Sequence, residues 1–357
     1  MDKKFRLFRI GISILAATFF ISGCMHYPVN KPLTTVDPNS GYRGKLMGQP
    51  GNSDEMMVFL TFSGGGTRAS AFSYGVLEEL RKTEVNINGQ KRMLLHEVDG
   101  ISGVSGGSFT AAYYGLFGDR IFEDFEQKFL RKNVQGGLTR RILIRPDNWV
   151  RLLSPFFQRS DLAAEYYDKI LFEKKTFRDM EARKGQSPMV HINATDMVTG
   201  IRVAFHQDAF DIICSDLSSY PVARAVTASS AVPVVLTPIT LRNYSNDCGF
   251  TLPKEAERVM REHDISSRSF HQVSNVEVYQ DVAKHKYIHL VDGGVSDNLG
   301  LRAALDRVLS FGSLWNTLKY LKLENTRKVV FVVVNAETEM SSHWSLLGKA
   351  PTISAMF

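Results

Sequence analysis

The stretch Val98–Ala111, with the sequence VDGISGVSGGSFTA, decides how the chain is expected to fold. Within it, Gly103, Ser105 and Gly107 form a G-x-S-x-G pattern. This pattern is typical of a sharp strand-to-helix turn that lifts a serine hydroxyl out of an α/β sheet. Glycine suits such a turn because the backbone is strained and a Cβ would block the approach of other groups. Taken alone the pattern is weak, since any turn rich in glycine and serine can contain it.

The residues on either side of Ser105 strengthen the interpretation. Residues 96–101 alternate between apolar and polar types like a short strand, and residues 109–117 continue like a helix. A helix that begins just after Ser105 would present free N–H groups and the positive end of its dipole where an oxyanion forms. The stretch therefore predicts an α/β fold with Ser105 as a candidate nucleophile.

A second glycine-rich turn lies upstream. The apolar run Met56–Phe62 has the length of a buried parallel strand, and three glycines follow it closely, at Gly64, Gly65 and Gly66. They indicate either a phosphate-binding loop or an oxyanion hole; the first fits poorly because no Gly-Lys-Ser/Thr follows. Arg68 would stand at the start of the next helix, where its charge opposes the dipole. It is either a solvated surface residue or one with a role in this loop.

The general base is less certain from the residues alone. Asp292 follows the predicted strand 287–291 and precedes two glycines, so it is either a base or a turn residue. Histidine has the better pKa for a base, and His343 would complete the order Ser, Asp, His that is known from α/β-hydrolases. Both assignments, an Asp292 dyad and a His343 triad, stay open at this point.

Four motifs in order carry a resemblance to a known family. They are G-G-G-x-R at 64–68, G-x-S-x-G at 103–107, the segment Ala225–Pro238 (AVTASSAVPVVLTP) and D-G-G at 292–294. In this order they resemble the patatin-like phospholipase family, and the resemblance extends over residues 58–335. It implies a three-layer α/β/α sandwich with a mostly parallel central sheet, and hydrolysis of acyl esters.

The resemblance also implies a Ser–Asp dyad in place of a triad, and we therefore prefer the dyad over His343. The implied nucleophile, base, oxyanion-hole residues and supporting residue are, in that order, Ser105, Asp292, Gly64 with Gly65 and Gly66, and Arg68. An aspartate of ordinary pKa, about 3.9, is a weak base at neutral pH, so such a dyad depends on a preorganised, water-poor site. Activating a serine needs no metal and no cofactor, and none is expected here, Ca²⁺ included.

The resulting hypothesis is a lipid-anchored serine acyl hydrolase that acts on phospholipid or related acyl esters. Three alternatives remain: a non-catalytic lipoprotein of the same fold that binds lipid or a partner, a Ser–Asp–His esterase that uses His343, and an esterase or thioesterase for soluble substrates. The first has no need of a nucleophile, a base and a glycine loop together.

The N-terminus indicates export and lipidation. The chain starts with basic residues, and an apolar run follows at residues 10–22. This run is too short for a comfortable membrane span. It ends in Ile21–Cys24, which resembles a bacterial lipobox. We expect residues 1–23 to be a signal peptide, Cys24 to be acylated, residues 24–54 to be a tether and residues 55–357 to be the hydrolase domain. An ordinary cleaved signal peptide or an uncleaved anchor are the alternatives. The absence of aspartate after Cys24 favours the outer membrane or a periplasm-facing location.

Charge and cysteine content narrow the partners. Removing residues 1–23 takes away four basic residues and one acidic residue, which lowers the formal net charge from +6 to +3. No nucleic-acid partner is therefore expected. Cys214 and Cys248 form an even pair that is either a disulfide or two buried thiols. The chain contains neither C-x-x-C nor H-E-x-x-H, so its sequence offers no support for a metal site.

Two segments lie outside the predicted strands and are interpreted as possible lids or insertions, residues 122–180 and residues 243–286. The first contains Arg140–Phe157, RRILIRPDNWVRLLSPFF, which mixes arginines with aromatic and aliphatic residues. We favour an amphipathic lid or core helix with its arginines outside. The alternative is an interfacial segment that touches anionic lipid head groups.

Overall fold

The computed structural model describes residues 29–46 and 51–337. The strands are β1 (Lys31–Pro32), β2 (Met56–Phe62), β3 (Glu84–Ile87), β4 (Gln90–Met93), β5 (Val98–Val104), β6 (Met189–Asp196), β7 (Arg202–Ala204), β8 (Ser215–Asp216), β9 (Ile239–Arg242), β10 (Tyr287–Asp292) and β11 (Lys328–Val334).

The first seven helices are α1 (Gly66–Lys82), α2 (Gly106–Phe117), α3 (Ile121–Leu130, of π type), α4 (Val134–Leu143), α5 (Pro146–Leu152), α6 (Arg159–Tyr167) and α7 (Phe177–Glu181). The others are α8 (Gln207–Ile212), α9 (Val222–Ser229), α10 (Lys254–Glu262), α11 (Arg268–Gln280), α12 (Gly294–Asp297), α13 (Arg302–Ser310) and α14 (Leu314–Tyr320). A short π segment, Asp168–Phe172, extends α6, and 3-10 turns lie at Gly44–Leu46, Leu94–Glu97 and Gly118–Arg120.

The central sheet has the strand order β11-β2-β5-β6-β10-β9, with β7 paired to β6. Its four strands from β11 to β6 are parallel, whereas β10 runs antiparallel to β6 and β9. Nearly every residue of β5 and β6 is buried, as expected for parallel strands that are covered on both faces. The predicted mostly parallel sheet is confirmed.

Helices cover both faces of this sheet. On one face α2 packs so tightly that a Cβ on its Gly115 would lie 2.7 Å from the side chain of Val190 in β6. On the other face, a cavity is lined by residues of α13, by Phe59 of β2 and by His191, the residue after Val190 in β6. Because Val190 and His191 are adjacent in one strand, they point to opposite faces. The predicted three-layer α/β/α arrangement is therefore confirmed.

Residues 29–46 correct the prediction of a tether. β1 pairs with β8, and Tyr42 is buried in the core, where its hydroxyl accepts a 2.8 Å hydrogen bond from the Val190 N–H. Arg43 is buried as well, with Nη1 at 2.7 Å from both Asp208 and Asp211. A tether is therefore wrong for these residues, because buried contacts hold them on the domain.

The two segments interpreted as possible lids or insertions are helical. In residues 122–180 the aromatic side chains of Phe125, Phe129 and Phe172 are buried in the main core, so much of this segment is part of the domain's core rather than a separate lid. Residues 140–157 span the end of α4 and all of α5, with Trp149 half exposed. Residues 243–286 contain α10 and α11.

The two cysteines whose state the sequence left open form a disulfide, Cys214–Cys248. It links the residue before β8 to the connection between β9 and β10. Both cysteines are buried.

Candidate active site

Ser105 occupies a strained turn between β5 and α2. Its φ of 49° and ψ of −120° lie outside the regions that ordinary side chains prefer. The next residue, Gly106, must be glycine because its backbone touches another loop. A Cβ there would lie 2.0 Å from the carbonyl oxygen of Gly66. The sequence therefore folds as the G-x-S-x-G pattern predicts, with Ser105 at the tip of the turn and at the N-terminus of a helix.

Asp292 lies beside Ser105 although 187 residues separate them in the chain. In the sheet, Val104 pairs with Asn193 of β6, and the following residue of that strand, Ala194, pairs with Asp292. The Ser105 hydroxyl donates a hydrogen bond of 2.7 Å to Asp292 Oδ2. Both residues are buried, with 6% and 7% of their surface exposed. The register of β5, β6 and β10 thus brings the two predicted residues together.

The environment of Asp292 changes the acid–base properties of its carboxyl group. Burial raises the pKa of this carboxyl above its usual range. Hydrogen bonds from the Gly294 N–H, at 2.8 Å to Oδ1, and from Ser105 lower that pKa in part. A carboxylate with a raised pKa is a stronger base than an exposed aspartate. The Ser105–Asp292 pair is therefore a buried, hydrogen-bonded arrangement of the kind that an aspartate base would need.

The segment after α9 holds both members of the dyad in place. The Ser105 N–H donates to Ser229 Oγ at 2.9 Å. The Asp292 N–H donates to the carbonyl of Ala231, and the Gly293 N–H to the carbonyl of Ser229, both at 3.0 Å. These contacts were not predicted. The only signal for them in the sequence is that Ser229 and Ala231 belong to the Ala225–Pro238 motif.

The triple-glycine loop lies directly against the serine turn. Gly65, the residue before α1, has a φ of 134°, a conformation that side chains other than glycine rarely adopt. Gly66 begins α1 and touches Gly106. Among the described residues, the N–H groups of Gly65 and Gly66 have no hydrogen-bond acceptor. They are therefore the candidate oxyanion donors.

Gly64 requires a correction. Its N–H donates a hydrogen bond of 3.0 Å to the main-chain carbonyl of Asn298. An N–H that is already bound to a carbonyl is not free to stabilise an oxyanion, so Gly64 positions the loop instead. The main-chain carbonyl of Asn298 thus anchors the glycine loop.

Arg68 is exposed at the start of α1 and reaches the end of β11. Its Nη2 donates to the carbonyl oxygen of Ala336 at 3.0 Å. The N–H of Ala336 in turn donates to Ser63 Oγ at 2.9 Å, just before the three glycines. Arg68 therefore ties the glycine loop to the edge of the sheet.

Two residues of the sequence analysis, Cys24 and His343, lie outside the described residues. Within residues 29–46 and 51–337 no group of three His, Cys, Asp or Glu side chains is arranged to hold a metal ion. The described residues supply Ser105 with one side-chain acceptor for its hydroxyl, the carboxylate of Asp292. This arrangement can carry out nucleophilic attack with direct proton transfer to a carboxylate.

Comparison with known proteins gives one family. The family model described as Patatin-like phospholipase matches residues 60–305, a range that contains both Ser105 and Asp292. No curated protein matches the chain.

Among solved structures, human GIVD cytosolic phospholipase A2 is similar, with 14% identity over 76% of this chain and 48% of that one, at a TM-score of 0.39. A complex of the same human protein with a methyl gamma-linolenyl fluorophosphonate inhibitor has 21% identity over 43% of this chain and 23% of that one, at a TM-score of 0.28. VipD from Legionella pneumophila has 14% identity over 78% of this chain and 52% of that one, at a TM-score of 0.31. The chain spans about half or less of the length of these proteins.

Proposed function

Because the chain belongs to the patatin-like phospholipase family, we propose that it is a lipid-anchored serine acyl hydrolase that cleaves phospholipid or related acyl esters. The observation that carries this proposal is the hydrogen bond of 2.7 Å from Ser105 Oγ to Asp292 Oδ2. A nucleophile within hydrogen-bond reach of its base is the central requirement of covalent ester hydrolysis.

In the first step Ser105 Oγ forms a bond to the ester carbonyl carbon while its proton moves to Asp292 Oδ2. The N–H groups of Gly65 and Gly66 stabilise the negative oxygen of the tetrahedral intermediate. One such donor is typically worth about 3–4 kcal/mol of transition-state stabilisation. The carbon–oxygen bond to the alcohol then breaks, and Asp292 returns the proton to the departing oxygen.

In the second step water hydrolyses the acyl-serine. Asp292 accepts a proton from the water while the oxygen of that water attacks the acyl carbonyl carbon. The bond to Ser105 Oγ breaks, the carboxylic acid leaves, and the serine oxygen recovers a proton from Asp292. The same carboxylate therefore serves both steps as base and then acid.

Exposed apolar side chains near the dyad in sequence support a lipid substrate. Val295, three residues after Asp292, is 62% exposed, and Val234, three residues after Ala231, is 67% exposed. Ala231 itself receives the N–H of Asp292. Exposed apolar groups in the two segments that hold Asp292 favour contact with acyl chains or a lipid surface over a small polar ester.

The lipid anchor rests on the sequence before the described residues. We propose acylation of Cys24, which would hold the domain at a bacterial membrane, in the outer membrane or facing the periplasm. The disulfide between Cys214 and Cys248 supports an oxidising compartment. None of the helices within the described residues is sufficiently long and apolar to span a bilayer.

The test is release of fatty acid from a panel of phospholipids, neutral acyl glycerols and soluble acyl esters. The wild type is expected to release fatty acid from at least one lipid, and Ser105→Ala to release none. Ser266→Ala, which changes an exposed serine in another part of the chain, is the matched control and should keep full activity. Equal activity of wild type and Ser105→Ala would refute the proposal.

The same panel separates the remaining alternatives. A protein that binds lipid without turnover would retain vesicle binding and release no fatty acid. An esterase for soluble substrates would cleave the short esters alone. A Ser–Asp–His enzyme would lose turnover in a folded His343→Ala variant.

A further inference from the structure

A cavity of about 330 Å³ lies between the sheet and the helices α11 and α13, and neither Ser105 nor Asp292 lines it. Its volume is at the lower end of the range for small-molecule sites, about 300–1,000 Å³. Part of its wall is apolar, from side chains that include Phe210, Val276 and Ile288. The cavity is therefore a separate site of suitable size for a small ligand with an apolar part.

Arginine side chains outnumber the acidic ones in this cavity. Arg202, Arg302 and Arg307 all line it. Arg202 Nη2 and Arg302 Nε each lie 3.6 Å from the same atom, Oδ2 of Asp306. Arg268 Nη2 lies 2.9 Å from the other oxygen of that carboxylate. These three guanidinium groups therefore share the carboxylate of Asp306.

The other acid of the cavity, Asp208, is bound elsewhere. Its Oδ1 accepts a hydrogen bond of 2.7 Å from buried Arg43, while Arg307 Nη2 is 4.0 Å from its Oδ2. Burial lowers the pKa of His191 and of His206 well below the usual range, so neither adds charge at neutral pH. The cavity therefore holds an excess of positive charge, carried by arginine.

Within residues 29–46 and 51–337, two of these arginines have a buried Nε–H that makes no hydrogen bond. They are Arg202 Nε and Arg302 Nε, and the second has only the ion-pair contact with Asp306 Oδ2 at 3.6 Å. The Arg202 side chain is only 13% exposed, and burial lowers its pKa. A buried charged donor without an acceptor is costly. An anionic ligand would supply the acceptor and remove that cost.

A second, more apolar cavity of about 240 Å³ adjoins the first. The two share His191, Ala303 and Arg307 as wall residues, and the second is also lined by Phe59 and Met189. An anion at Arg307 would thus have apolar space beside it on two sides. This combination of a cationic wall and apolar space fits an amphiphile better than a simple inorganic ion.

We propose that the two cavities together bind an aliphatic carboxylate, with its carboxylate on Arg202, Arg302 and Arg307 and its chain in the apolar space. Guanidinium groups bind carboxylates strongly because two N–H donors match the two oxygens. The class includes the fatty acids that acyl-ester hydrolysis releases. Binding itself does not rest on the proposed hydrolase activity, because neither Ser105 nor Asp292 is among the lining residues.

The test is calorimetric titration of octanoate into the full chain with Ser105→Ala, which prevents turnover. Arg307→Gln in the same background should weaken binding about tenfold or more, because the variant loses a charge-assisted hydrogen bond to the carboxylate. Arg261→Gln, at a side chain that is 69% exposed on α10, removes the same charge outside both cavities and should leave binding unchanged. Octanol, which lacks the charge, and inorganic phosphate, which lacks the chain, should both bind much more weakly than octanoate.

Three results would overturn the proposal: no binding of octanoate, equal binding by Arg307→Gln and the control, or phosphate binding as tight as octanoate. Circular dichroism establishes that each variant is folded. Hydrogen exchange of the Ser105→Ala chain gives the same answer without changing an arginine. Octanoate should protect amides of residues 202–204 and 302–310, and unchanged exchange there would contradict the proposal.

Discussion

Replacing Gly106 by alanine tests whether contact between the glycine loop and the serine turn is needed for activity. The new Cβ would lie 2.0 Å from the Gly66 carbonyl oxygen and 2.9 Å from the Gly66 nitrogen, whereas ordinary contacts begin at 3.4 Å. Both neighbours are main-chain atoms, so no side-chain rotation relieves the clash. The two backbones must separate by roughly an ångström or more, and a displacement of about 1 Å can cost about 100-fold in rate.

The expected result is therefore a fall of about 100-fold or more in kcat/KM for a soluble acyl ester. Overpacking should also lower the free energy of unfolding by about 1–3 kcal/mol. Gly75→Ala is the matched control, because a Cβ on this exposed residue of α1 meets nothing within 4 Å. Alanine in a helix interior is more stable than glycine by about 1 kcal/mol, so this variant should be slightly stabilised and fully active. A folded Gly106→Ala variant with the activity of wild type would refute the reasoning.

Three further predictions concern titration and cross-linking. Burial raises the pKa of Asp99 to about 6 from its usual 3.8, so the folded state holds this proton more tightly than the unfolded state. As pH rises from about 4 through 6, the free energy of unfolding of wild type should therefore fall by up to about 3 kcal/mol relative to Asp99→Asn. Urea unfolding at several pH values measures this difference. Parallel pH curves for the two proteins would contradict this. Asp292 must be ionised to accept a proton, so kcat should fall as pH drops through its raised pKa, and a rate that is independent of pH between 4 and 8 would contradict the assignment. In the double variant Cys214→Ser and Cys248→Ser, the free energy of unfolding should be about 4 kcal/mol lower than in wild type, because the bridge spans 34 residues. Equal denaturation midpoints for the two proteins would exclude a stabilising bridge.

Local patterns predicted the parts of the site that depend on neighbouring residues. A buried strand, a glycine turn and a helix follow one another around both Gly64 and Ser105, and each is visible in a dozen residues of sequence. The placement of Asp292 at a strand end was predictable in the same way. The contact between Asp292 and Ser105 was inferred from the family resemblance. No short stretch of sequence predicts the register of β5, β6 and β10 that brings these residues together.

Contacts between distant residues were beyond the sequence. Gly64 was expected to bind an oxyanion, yet its N–H is taken by Asn298, 234 positions away along the chain. Residues 29–46 have the composition of a linker, but the buried side chains of Tyr42 and Arg43 hold them on the domain. In both cases the outcome depends on which groups the folded chain brings near, and composition carries no information about that.

The most direct measurement of the central claim is mass spectrometry after exposure to an alkyl fluorophosphonate, which reacts with a serine activated by its surroundings. We predict one adduct per chain, mapped to Ser105, with labelling about 100-fold slower in Asp292→Asn, because loss of a general base typically costs about 100-fold or more. Asn at that position keeps the shape of the side chain, so the slowing would report the carboxylate itself. An unlabelled Ser105, or labelling as fast in Asp292→Asn as in wild type, would contradict the account.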